Sequence, residues 1–130
     1  MSNPGRPKHY FRKLTTMQEF LLLFRQPDAD YRATPEKMKE IGKKWHGWVD
    51  SIVKQDKFVS HGIRLSMDGK VLRAGGVVTD GPFVEIKEKL LSYVIVRAEN
   101  IDDAVTLSHG CPAIDAGGSV EIRPVYSQAQ

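Results

Sequence analysis

The sequence holds a single cysteine, Cys111. No disulfide can form within the chain, and a lone thiol fits a reducing compartment, so a cytoplasmic location is expected. Long apolar runs are missing too. The longest, Leu21-Leu22-Leu23-Phe24, is far short of the ~20 residues of a membrane span. The basic N-terminus lacks the apolar stretch of a secretory signal. No membrane partner is expected. The four histidines, at 9, 46, 61 and 109, have no i, i+4 spacing, and one cysteine is too few for a structural zinc site, so no metal is expected. There is no glycine-rich phosphate motif: Gly75-Gly76 and Gly117-Gly118 are pairs, read as a bulge and a turn. Nothing in the spacing asks for a cofactor, and no nucleophile–base signature stands out.

Charge of one sign is scarce outside the first residues. The net charge is +3, but Arg6, Lys8, Arg12 and Lys13 stand in residues 1–16 without an acid. Setting those four aside from 19 basic residues leaves 15 against 16 acids. A basic extension touches phosphates without selecting a sequence, so no specific nucleic-acid partner is expected.

What is present is enough for one core. The chain has 130 residues, 41% hydrophobic and 27% charged, the profile of a globular domain. Residues 1–16, with Pro4, Gly5 and Pro7, read as a basic extension, 17–126 as the domain and 127–130 as a tail. "EFLLLFR" (19–25) is a short apolar run that ends at Gln26-Pro27-Asp28, hence a strand. Thr34-Pro35-Glu36 is a helix start. Met38, Ile41, Trp45, Trp48, Val49 and Ile52 then recur at helical spacing, which predicts a helix over about 35–55. Gly42 and Gly47 inside it suggest close packing or a bend. "HGIRLS" and "KVLRAGGVV" flank Asp68-Gly69, a hairpin signal. "SYVIVRA" (92–98) is the next strand. Asn100 caps a helix that Gly110 ends, and "GSVEIRPV" (118–125) is the last strand.

The order β-α-β-β-α-β predicts an α+β ferredoxin-like fold with an antiparallel sheet. Two helices cover only one face of such a sheet. "LLLF" and "YVIV" are apolar on both faces, so the second face is expected to bury against a twin, giving a dimeric α/β-barrel-like homodimer.

"VTDGPFVEIKEKL" and "CPAIDAGGSVEIRPV", together with "EFLLLFR", "WHGWVDSIV" and "GKVLRAGGVVTDGPF", resemble the DGPF branch of the YCII-related proteins over residues 17–125. The resemblance implies a ferredoxin-like fold that dimerises sheet to sheet in the cytoplasm. Branch members are often encoded beside extracytoplasmic-function sigma factors, which implies a regulatory setting rather than DNA binding. The wider family has a proposed catalytic His–Asp pair. At the matching positions this chain has Trp45, with His46 next to it, and Cys111 before Pro112, so neither residue of the pair is in place.

The candidate site residues carry two readings each. Asp80 is a site carboxylate or the acceptor of a turn's N–H groups. Phe83 is a ligand platform or a core plug. Glu85, Lys87 and Glu88 line a cleft or face water. Trp45 and Trp48 form an aromatic wall or a core contact. Arg25 binds an anion or pairs with an acid. The expected function is a small homodimeric ligand-binding or regulatory module for a small organic molecule. The alternative is an enzyme in which His46 is the base, Asp80 orients the proton and Arg25 holds an anionic group.

Overall fold

The computed structural model describes residues 17–27, 34–66, 68–81 and 88–126. The elements in chain order are β1 (Gln18–Pro27), α1 (Pro35–Lys54), β2 (Phe58–His61), β3 (Gly69–Leu72), β4 (Val78–Gly81), β5 (Glu88–Ala98), α2 (Ile101–Ser108), α3 (Pro112–Asp115) and β6 (Ser119–Pro124). Four strands form an antiparallel sheet in the order β2-β5-β1-β6. The crossovers β1-α1-β2 and β5-α2-β6 interleave, which is the ferredoxin-like arrangement. No helix among the described residues is long and apolar enough to cross a membrane.

Alternation explains the layers. In β1, Phe20, Leu22 and Phe24 are buried, and their neighbours in β5, Val94 and Val96, join them. These residues meet Trp48 and Ile52 of α1, Ala104 and Leu107 of α2, and Cys111 and Ala113 around α3 in one cluster. Side chains of opposite parity, Leu21, Leu23 and Ile95, point to the other face, where no helix of the described residues lies, and are half-buried. Burying Leu, Phe and Val side chains at about 1.5–3 kcal/mol each makes the helix-covered face the main source of stability.

The caps hold as the residue types demand. Thr34 Oγ1 accepts from Lys37 N at 3.2 Å, and Asn100 Oδ1 accepts from Asp103 N at 2.8 Å. Each satisfies an amide that helix geometry leaves without a partner. Asp103 then does more: it accepts from Glu99 N at 3.1 Å and from Lys57 Nζ at 3.0 Å, tying the start of α2 to the entry of β2.

Four expectations are corrected. The middle hairpin turns not at Asp68-Gly69 but at 73–77, where Gly75 and Gly76 have φ of 86° and 80°. Arg73 N bonds Val77 O at 2.7 Å across it. Gly supplies such positive φ values without strain. This β3–β4 hairpin is a separate two-stranded sheet. "HGIRLS" is mostly not a strand: after His61 the chain runs beside β5 with isolated bonds, Gly62 N to Tyr93 O and Leu65 N to Leu91 O. Gly42 and Gly47 are not packing sites, since an added Cβ at either would meet nothing within 4 Å. The α1 stripe is also shorter than its sequence suggests. Only its C-terminal half reaches the core, and Met38 stays 51% exposed.

Candidate functional site

The one-residue steps along α1 place Trp45 and Val49 against the sheet and His46 at the rim. Phe24 lies beneath them, fully buried. Its ring meets Trp45 edge-on at 5.0 Å and Trp48 at 5.6 Å, and the two indoles meet at 5.8 Å. Such edge-to-face contacts are the favoured geometry of aromatic pairs. Trp48 is anchored further by its indole N–H, which donates to Leu107 O at 3.1 Å. Trp48 is therefore core, whereas Trp45 is half-buried and packs against that core.

Opposite α1, β2 ends at His61, whose ring lies 4.7 Å from that of Phe58. The next residue must be Gly. A Cβ at Gly62 would lie 2.3 Å from Tyr93 O and 2.5 Å from the Tyr93 ring, so only Gly lets the chain pass this close. The pass leaves a cleft of about 230 Å³ between α1 and the β2–β5 edge. Phe24, Trp45 and Val49 form its apolar side and Tyr93 and Ser92 its strand side, while His46, His61 and Arg64 bring nitrogen groups to its rim. No Asp or Glu is among its lining residues. The next acid along α1, Asp50, one turn beyond His46, is drawn off by Lys54 at 3.1 Å.

The other expected site residues do not gather here. Arg25 lies on the helix-free face, where its guanidinium holds the Glu121 carboxylate at 2.5 Å. Parity dictates this: Arg25 follows Phe24, which faces the helices. The guanidinium beside Glu121 holds that carboxyl below its usual range. Asp80 pairs through its backbone with Lys70 in the β3–β4 hairpin, and Glu88 opens β5 opposite Pro27. Phe83, Glu85 and Lys87 lie outside the described residues. His61 and Arg64 lie in "HGIRLS", whose pattern predicts half of a hairpin and so does not mark them as site residues. The signal that marks them is an isolated Gly in a strand-like run, a sign of close backbone approach, with a His before it and an Arg two residues on.

Trp45 and Cys111 are the residues that the resemblance sets at the positions of a proposed His–Asp pair. Burial pushes the Cys111 thiol up to about 11, and its sulfur accepts from Ala113 N at 3.4 Å. A thiol so held stays protonated at neutral pH and is no nucleophile. No group of three or more His, Cys, Asp or Glu able to hold a metal occurs among the described residues.

A family model described as YCII-related domain matches residues 18–128. Among curated proteins, none matches the chain.

Proposed function

The chain belongs to the YCII-related domain family, and we propose that it is a small-molecule binding module whose site is the cleft between α1 and the β2–β5 edge. One observation carries this reading: the cleft joins an apolar aromatic side to a rim of polar nitrogens, the pattern of a small-ligand site. The "VTDGPFVEIKEKL" stretch favours the DGPF branch. A cytoplasmic regulatory role beside a sigma factor is the setting that this resemblance implies.

The working unit on this reading is a homodimer joined through the helix-free sheet face. Support comes from its half-buried Leu21, Leu23 and Ile95, and from its charges. Glu121 accepts from Arg25 and from Arg123, so the face carries both signs and is complementary to itself under a two-fold axis.

A thermal-shift screen with a library of small organic molecules tests the binding reading. Compounds that raise the Tm of the wild type are expected to lose most of that shift in a His46→Ala, His61→Ala double variant, both residues being exposed. An empty screen, or shifts that survive the double substitution, would refute it. A second reading draws on the two imidazoles at one cleft, which suit general acid–base chemistry. Turnover of a stabilising compound, followed by mass spectrometry and abolished by either single substitution, is what that reading requires.

A further inference from the structure

We infer that the cleft takes a small planar organic acid, with its ring against Trp45 and its carboxylate at Arg64 between His46 and His61. This rests on the reading of the cleft as a binding site and goes on to name the ligand's chemistry.

Size comes first. A cleft of about 230 Å³ holds roughly eight waters at about 30 Å³ each. It lies below the about 300 Å³ at which pockets for drug-sized ligands begin. That room matches one six-membered ring with a short substituent.

Shape is the second argument. The apolar side is built from flat groups, Phe24 and Trp45, packed edge to face. Phe24 is 1% exposed and locked by two indole contacts, so the floor cannot rearrange to admit a bulky, branched group. A planar ring uses such a slot with little loss of internal freedom.

Charge is the third. Three nitrogen groups and no carboxylate line the cleft. Among the described residues, neither imidazole nor the Arg64 guanidinium has a hydrogen-bond or ion-pair partner. A guanidinium offers paired N–H donors that match the two oxygens of a carboxylate. Each neutral imidazole supplies one further N–H donor or acceptor. An ammonium ligand would meet the like charge of the Arg64 guanidinium and no acid to hold it.

The experiment titrates the full chain with benzoate, benzamide, benzylamine and inorganic phosphate, reading intrinsic tryptophan fluorescence, which Trp45 reports. Benzoate is expected to bind at least tenfold more tightly than benzamide, which has the same shape without the charge. Benzylamine and phosphate are expected to bind more weakly still. In Arg64→Gln, benzoate is expected to fall to the affinity of benzamide, while benzamide itself is unchanged. Arg64 is exposed, and an unaltered circular dichroism spectrum confirms that the variant is folded. Equal binding of benzoate and benzamide by the wild type overturns the inference and leaves the binding reading standing. So does phosphate binding as tightly as benzoate, or an Arg64→Gln chain that keeps its preference for the acid. If no ring compound of any charge binds, the inference and the binding reading fall together.

Discussion

The two faces of the central sheet are built from the same strands, yet they ended up in different environments. On the covered face Phe20, Leu22, Phe24, Val94 and Val96 are 6% exposed or less. On the other, Leu21, Leu23 and Ile95 are only half withdrawn from water, and they share their surface with the Arg25–Glu121–Arg123 group. One register step decides which environment a residue receives. Among the described residues of the covered layer, the one buried polar side chain apart from the cysteine, Ser108, donates to Ala104 O at 2.9 Å. The open face mixes charge with aliphatic surface, as an interface that must also survive exposure does.

The largest expected effect tests that contrast directly. Leu22→Ala removes a fully buried side chain and leaves a cavity, which costs about 2–5 kcal/mol of unfolding free energy in denaturant titrations. Leu23→Ala, one residue away, is expected to cost less than about 1.5 kcal/mol at protein concentrations that keep the chain monomeric, because its site is already half open to water. Its cost should then grow with concentration if a second copy covers this face. Equal losses for the two variants in dilute solution would show that the faces do not differ in the way described.

The glycines sharpen the contrast at intermediate size. Gly42 and Gly47 sit in α1 with open space around them, so Gly42→Ala and Gly47→Ala should each raise stability by up to about 1 kcal/mol through helix propensity. Gly118 is the opposite case. A Cβ there would fall 2.0 Å from the backbone oxygen of Arg25, and the Gly118 amide is already committed to Ala113 O at 2.8 Å. Gly118→Ala is expected to destabilise, since backbone cannot yield as a flexible side chain can. A helix variant that lowers the Tm, or a Gly118 variant that leaves it unchanged, would contradict these local environments.

Much of this architecture can be read from residues alone, and the reason is locality. Thr34, Pro35 and Asn100 act within one helical turn, so their caps are visible in the sequence. Phe20, Leu22 and Phe24 alternate within one strand. The centre of the chain is harder because two turn signals compete: Asp68-Gly69 and Gly75-Gly76 are seven residues apart, and only long-range pairing selects between them. That pairing joins four-residue β2 to β5, placing His61 opposite Val94, and no local pattern records it. The candidate site inherits the same division. Trp45 and His46 follow from the helix stripe, whereas His61 and Arg64 reach the cleft only through the passage of Gly62 over Tyr93. Of the two readings of Arg25, pairing with an acid is the one its contact with Glu121 fits, and strand parity puts that residue on the far side of the sheet from the cleft.

The smallest effect concerns acid, and it distinguishes the two faces electrostatically. Asp103 stands at the edge of the covered layer. Burial pushes its carboxyl up, but the Glu99 amide and Lys57 together outweigh this, and the net displacement is below the ordinary 3.8. Glu121, on the open face, is likewise held below its ordinary 4.5, chiefly by its hydrogen bond from Arg25. For a carboxylate whose folded pKa is depressed, the unfolded chain binds its proton first as the pH falls. The stabilisation is complete above the unfolded pKa and is lost as the pH drops through the lower folded value. Urea midpoints measured from about pH 6 downward should therefore hold steady and then fall below about pH 4–5. Asp103→Asn should flatten part of that fall at every protein concentration, because Lys57 and Glu99 belong to the same chain. Glu121→Gln should flatten it by an amount that depends on concentration, because a second copy would dry the Arg25–Glu121 pair and strengthen it. A Glu121 contribution that is the same in dilute and concentrated solution would mean that water, and not another copy of the chain, faces this side of the sheet.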